Sequence, residues 1–256
     1  MRVQIDGRPA AAEALAHRAL TNYGHYTAMQ VRNGKVRGFG LHLKRLSSAT
    51  RHLFAEELDQ DTVRHHIRLA MDGESGACSV RVDVFHLPAA DGISVMVTVR
   101  PPADMPAAPQ HLKAVVYQRP VAHIKHVGTF AQIYYGQLAE HEGFDDALLV
   151  GSDETISEAA IANIGFVDSE SIVWPDGPGL PGITWQLLDA ALPAHGMTIS
   201  RRTVRLSDLA SFRTVFVMNS IGVAAVGRVD DTELLVDDGA IHAIQQVHNG
   251  IPWDEI

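Results

Sequence analysis

The chain reads as a mixed α/β (α+β) protein in two domains, and three observations predict it. Short segments with two-residue apolar alternation are interleaved with stretches whose apolar residues recur every three or four positions, the signatures of strand and helix. A proline-dense stretch, Pro101–Pro109, parts the chain into unequal halves, because proline fixes φ and removes backbone donors. Of the 256 residues, 46% are hydrophobic and 20% charged, enough apolar material for a sizeable core. The expected division is a smaller N-terminal domain over 1–110, a proline-rich connection over 101–121 and a larger domain over 122–256.

The elements follow in order. Val3–Ile5 alternates as a strand and ends in the turn Asp6-Gly7. The alanine-rich stretch Ala10–Ala19 predicts a helix. Tyr26–Val31 and Val36–Leu41 flank Asn33-Gly34, the dipeptide that accepts the positive φ of a tight hairpin, so both are expected to be strands. A helix starts near His42, where Leu43, Leu46, Ala49 and Leu53 fall on one face with Lys44, Arg45 and Arg51 between them. Asp61–Met71 predicts another helix. Ser79–Phe85 and Ile93–Val99 are expected strands joined by the turn at Asp91-Gly92. Beyond the prolines come strand Lys113–Tyr117, helix Ala131–Glu142 and strand Asp146–Val150. Short strands at Thr155–Ser157, Gly165–Val167 and Ile172–Trp174 precede a helix over Thr184–Leu192. Strands Thr198–Arg205 and Thr214–Val217 and a final helix over Ala240–Asn249 complete the reading.

Composition narrows the function. Lys and Arg total 21 against 30 for Asp and Glu, a formal charge of −9, and a negative field repels the phosphates of nucleic acids. A local basic pocket remains compatible with that balance. A single cysteine, Cys78, makes no intramolecular disulfide, which fits a reducing cytoplasm. Met1–Gly7 has neither the apolar core nor the cleavage pattern of a signal peptide. No run approaches the roughly 18 apolar residues of a membrane helix. The expected location is cytoplasmic.

Three stretches carry chemistry. Lys125 lies in Ala122-His123-Ile124-Lys125-His126-Val127-Gly128, an apolar-leaning loop with histidines on both sides. A lysine in low dielectric beside other cations reacts as an amine; the alternative is a surface lysine at a strand end. Glu158 and Asn163 are polar residues in the otherwise apolar run Thr155–Phe166, where a buried carboxylate needs a cationic or protonated partner. Ser157 or Glu158 capping a short helix is the other reading. Pro178-Gly179-Leu180-Pro181-Gly182-Ile183-Thr184 leads into a helix whose N-terminus suits a phosphate, or simply starts that helix. The fourteen histidines do not make a metal site: no cysteine partners His65-His66 or His123 and His126, and no H-E-x-x-H occurs.

Five stretches, in order along most of the chain, resemble the class IV (fold-type IV) pyridoxal-phosphate-dependent aminotransferases. That family includes branched-chain and D-amino-acid aminotransferases and aminodeoxychorismate lyase. Gly24-His25-Tyr26-Thr27-Ala28-Met29-Gln30-Val31 resembles the family's early glycine-aromatic strand. His42-Leu43-Lys44-Arg45-Leu46-Ser47-Ser48 resembles its H-x-x-R-L-x-x-S helix start. Ile124-Lys125 resembles the cofactor lysine. Ile156-Ser157-Glu158 with Asn163 resembles the glutamate-asparagine segment, at the family's spacing from the lysine. Leu180-Pro181-Gly182-Ile183-Thr184 resembles the L-x-G-I-T phosphate loop.

The resemblance implies pyridoxal 5'-phosphate as cofactor, held by Lys125 as a Schiff base, with Lys125 shuttling the proton at the substrate carbon. It implies that Glu158 pairs with the pyridine nitrogen and keeps it protonated. Arg45 and the backbone amides of Ile183 and Thr184 would bind the phosphate. Asn219-Ser220-Ile221 matches the family's second phosphate contact, backbone and hydroxyl, and Tyr26 sits where relatives line the cofactor pocket. The implied reaction is amino-group transfer between an amino acid and a 2-oxo acid. The alternatives are a lyase eliminating pyruvate, towards which Thr27 and Asn219-Ser220 lean, and a homologue without turnover. A homodimer is implied, with each active site where the two domains meet and finished by the neighbouring subunit. Three departures stand out. Phe130 replaces a residue able to hydrogen-bond the cofactor's phenolic oxygen. Trp185 follows the phosphate loop where relatives usually carry Arg. The hairpin 86–92 lacks the arginine-glycine-rich substrate loop of several relatives.

Overall fold

The protein is described by a computed structural model covering residues 1–256 except Ser75 and Ala89, the latter within the 86–92 hairpin. The chain forms two compact units. One comprises Met1–Ala103, Ile124–Gly128 and Pro252–Ile256; the other comprises Asp104–His123 and Thr129–Ile251. The segments 124–128 and 252–256 thus belong with residues 1–103, although stretches of the other unit separate them from those residues along the chain.

The first unit contains β1 (Arg2–Ile5), β2 (Arg8–Pro9), α1 (Ala12–Leu20), β3 (His25–Arg32), β4 (Lys35–Val36), α2 (Phe39–Phe54), α3 (Gln60–Ala70), β5 (Ala77–His86) and β6 (Ile93–Arg100). With the C-terminal strand Asp254–Glu255 they build a seven-stranded antiparallel sheet ordered C-terminal strand, β4, β3, β5, β6, β1, β2. Burial on β3 alternates strictly, as expected for a sheet with one covered face. Met29 and Val31 on that face join Leu43, Leu46, Val63, Ile67, Val80 and Val82 in one core. Towards the start of β3 the same face turns polar, with His25 and Thr27 both buried. Gly24 lets β3 approach β5 closely: a Cβ there would lie 2.7 Å from the Val84 carbonyl oxygen, at φ +149°.

The second arm of the Asn33-Gly34 hairpin, expected as a strand over Val36–Leu41, is only two residues long. Gly38 adopts φ 68°, turns the chain out of the sheet and serves as N-cap of α2, so Phe39–Leu41 are helical. Segment 124–128 lies along the start of β3. Tyr26 N–H donates to the Lys125 carbonyl at 2.8 Å and Val127 N–H to that of Gly24 at 3.0 Å, with His25 facing His126 between them.

The second unit contains β7 (Gln110–Val116), α4 (Phe130–His141), β8 (Asp146–Val150), β9 (Ile156–Ala159), β10 (Asn163–Val167), β11 (Ile172–Pro175), α5 (Ile183–Ala191), β12 (Ile199–Arg202), β13 (Thr214–Asn219), β14 (Gly222–Val229), β15 (Thr232–Glu233) and α6 (Asp238–Gly250). The sheet order is β12, β11, β10, β13, β14, β7, β8, β9, with β15 on β14. The pairs β11/β12, β14/β7 and β7/β8 are parallel. β13 and β14 are covered on both faces. Val215, Val217, Ala224 and Val226 pack with Leu148, Ile164 and Phe166, while Phe216, Met218, Val223 and Ala225 pack with α5 and α6. Strand β14, Gly-Val-Ala-Ala-Val-Gly-Arg-Val, lacks alternation for that reason, and the sequence pattern does not mark it. The strand expected over Thr198–Arg205 stops at Arg202. Arg205 N–H donates instead to the Asp208 carboxylate at 2.9 Å and opens a 3-10 turn over Leu206–Ser211. Among the described residues no helix is long and apolar enough to cross a membrane.

Candidate active site

In the first unit the 124–128 strip holds Lys125 beside β3, with its Nζ 4.9 Å from the centroid of the Tyr26 ring. The Arg81 guanidinium lies over the same ring at 3.6 Å. Arg81 is itself held by a bidentate pair to Asp83, at 2.7 and 2.9 Å, and Asp83 is fully buried. Arg45 projects from α2 one turn beyond His42, and its Nη2 donates to the Thr27 hydroxyl. That hydroxyl also lies 2.7 Å from His42 Nδ1. A second pair, His25 Nε2 and Thr50 Oγ1 at 2.9 Å, joins the same strand and helix. Both histidines are held neutral. Burial and then the Arg45 charge push His25 down to about 4. Burial, Arg45 and Lys125 hold His42 well below the ordinary imidazole value.

In the second unit Glu158 is buried in β9, paired across the ladder with Leu149, and is a strand residue, not the cap of a short helix. Its Oε2 accepts from the Leu180 N–H at 3.0 Å, and its Oε1 lies 3.6 Å from Nη1 of Arg119, which is equally buried. Ionisation of a carboxylate this deep is balanced by that guanidinium. Asn163 opens β10, and its Nδ2 donates to the Leu180 carbonyl at 2.7 Å. Leu180 is therefore gripped on both sides of its backbone. The loop packs so tightly that a Cβ on Gly182 would lie 1.9 Å from Asn163 Oδ1.

Gly182 is the N-cap of α5 and no side chain caps this terminus, so the amides of Ile183 and Thr184 are among those a helix leaves without an internal acceptor. The Thr184 hydroxyl donates to the Asn219 carbonyl at 2.7 Å, tying the helix start to the β13–β14 turn that carries Ser220 and Ile221. Ile221 N–H donates to Asn219 Oδ1 at 2.8 Å, so that amide already has an acceptor.

Thus one unit gathers Lys125, Tyr26 and Arg45, and the other gathers Glu158, Asn163, Ile183, Thr184, Ser220 and Ile221. Arg119 escapes a reading of the sequence. It stands in a proline-flanked loop, and its partner Glu158 comes from a distant strand. Phe130 is 78% exposed at the start of α4 and stacks on Tyr134. Trp185 packs edge-on to Trp174 with Arg201 over its ring at 5.1 Å. Among the described residues no group of three His, Cys, Asp or Glu side chains is placed to hold a metal ion.

Sequence and fold comparisons agree on the class. Residues 24–229 match the family described as amino-transferase class IV, and the chain belongs to that family. No curated protein matches the sequence. Among solved structures, a hypothetical aminotransferase from Mycobacterium tuberculosis in its PLP-bound form superposes with a TM-score of 0.85 at 19% identity, over 98% of this chain and 99% of that one. The branched-chain amino acid aminotransferase from Escherichia coli gives 0.84 at 16% identity, over 98% and 93%. A putative 4-amino-4-deoxychorismate lyase from Legionella pneumophila gives 0.79 at 20% identity, over 92% and 93%. These likenesses establish a shared fold.

Proposed function

We propose that this chain is an aminotransferase that uses pyridoxal 5'-phosphate to move an amino group between an amino acid and a 2-oxo acid. The observation that carries the reading is the buried Glu158 carboxylate, aimed by the Leu180 N–H and balanced by Arg119. The donor set fits the cofactor's three functional parts. A primary amine, Lys125, matches its aldehyde; a buried carboxylate, Glu158, matches its ring nitrogen. A guanidinium, Arg45, and the uncapped start of α5 match its phosphate. When bound, this cofactor supplies an electron sink for negative charge at the substrate carbon.

The residues divide the work. Lys125 would hold the cofactor through its amine and would serve as the group that takes a proton from the substrate carbon and returns it. Glu158 keeps a proton on the ring nitrogen, and Asn163 keeps the Leu180 segment against Glu158. Arg45, the Ile183 and Thr184 amides and the Ser220 hydroxyl hold the phosphate. Ile221 stabilises the Ser220 turn through Asn219, and Tyr26 lines the cofactor pocket.

A yellow protein absorbing in the visible, with the band abolished by Lys125→Ala, is the expected result. A colourless protein that takes up no added cofactor would overturn the reading. Glu158→Gln should retain some cofactor but lose most turnover; near-parental turnover would contradict the proton-holding role. Amino-group exchange with a panel of L- and D-amino acids, reversed by 2-oxo acids, marks the transaminase. Thr27 and Asn219-Ser220 favour a second reading, a lyase; pyruvate release from aminodeoxychorismate without exchange would select it. Bound cofactor with neither reaction would mark a homologue without turnover. Light scattering tests the expected homodimer.

A further inference from the structure

We propose that Thr27 and His42 form a positioning relay that aims Arg45 at the cofactor's phosphate; this rests on the reading above, in which Arg45 is a phosphate ligand. Arg45 only donates, and its Nη2–H is taken by the Thr27 hydroxyl oxygen. The same hydroxyl pairs with His42 Nδ1 at 2.7 Å, so one oxygen links both α2 side chains.

A neutral His42 pairs with that hydroxyl in either tautomer. Its complete burial beside two cations holds it neutral, consistent with the depressed imidazole basicity. The three groups come from two rigid elements. Thr27 is fully buried on β3, while His42 and Arg45 share a face of α2 one turn apart. A valine at 27 would keep the shape but remove the hydroxyl to which both α2 residues turn. Arg45 would then have one contact fewer to fix its rotamer, and a flexible guanidinium binds a phosphate less tightly than a held one.

The test compares two ligands differing only in the phosphate. Dissociation constants for pyridoxal phosphate and for pyridoxal are measured by equilibrium dialysis against the parent protein, Thr27→Val, Thr27→Ser, Arg45→Ala and the Thr27→Val/Arg45→Ala double variant. The expected outcome is that Thr27→Val weakens pyridoxal phosphate roughly tenfold, the scale of a hydrogen bond to a charged group, and leaves pyridoxal unchanged. Thr27→Ser stays near the parent, and Thr27→Val adds little once Arg45 is alanine. Should the valine variant not fold, Thr27→Ala serves the same comparison. Equal weakening of both ligands, or no weakening of either, overturns the relay. If Arg45→Ala discriminates between the ligands while Thr27→Val does not, the relay falls and the phosphate role of Arg45 stands. If Arg45→Ala itself fails to discriminate, the phosphate role falls and the relay with it.

Discussion

Replacing Arg119 by methionine removes the charge opposite Glu158 while keeping the length and apolar stem of the side chain. The two groups lie 3.6 Å apart, each with only 6% of its side chain exposed. Coulomb attraction at that distance is about 4–5 kcal/mol at an effective dielectric of roughly 20. Much of that offsets the cost of dehydrating both ions, so the pair itself adds little net stability. The variant is different, because it leaves a buried carboxylate opposed by methionine. Breaking a buried pair from one side costs about 3–5 kcal/mol. The decisive comparison is therefore Arg119→Met against Arg119→Met/Glu158→Gln. In the double variant the stranded charge is gone, and a glutamine oxygen still accepts from the Leu180 N–H. The double variant should recover at least half of the loss. Urea unfolding of the cofactor-free protein, at constant m-value, measures both. A loss below about 1 kcal/mol in Arg119→Met, or a double variant no more stable than the single one, would refute the account of a buried, mutually dependent pair.

Other expectations follow from the same geometry. Gly182→Ala places a Cβ 1.9 Å from Asn163 Oδ1 at an ordinary φ of −64°, so the cost is steric and of the overpacking kind, about 1–3 kcal/mol; Asn163→Ala in the same protein should relieve most of it in thermal unfolding. His25 has its folded-state value lowered from 6.5 to about 4 by burial and Arg45, so the unfolded chain binds the extra proton first. Its contribution is present above pH 6.5, declines as pH falls from about 6.5 to about 4, and amounts to roughly 3 kcal/mol across that window. Asp146, raised by burial to about 6, works in the opposite direction, because its folded form takes up the proton first. The His25 effect is thus read as the difference in unfolding free energy between the parent and His25→Gln at pH 7 and pH 4.5; parallel curves would contradict it.

How far the sequence reaches is visible in single segments. The hairpin at Asn33-Gly34 is legible because positive φ is chemically costly for most residues, and both adopt it, at 52° and 72°. Its second arm is not legible, since whether Gly38 extends the strand or caps a helix depends on the helix that forms behind it. β14 escapes because α6 covers one of its faces and the second unit's core the other, erasing the alternation that pattern reading needs.

By itself the sequence determined the mixed α/β class and the family, because ordered motifs and local periodicity are properties of neighbouring residues. Only the tertiary structure decided that Ile124–Gly128 packs with the first unit beside Tyr26, that Arg119 stands against Glu158, and that Thr27 joins His42 to Arg45. Those juxtapositions depend on backbone brought together from far apart in the chain. Electrostatics and hydrogen bonding act over a few ångströms of space, whatever the separation in sequence.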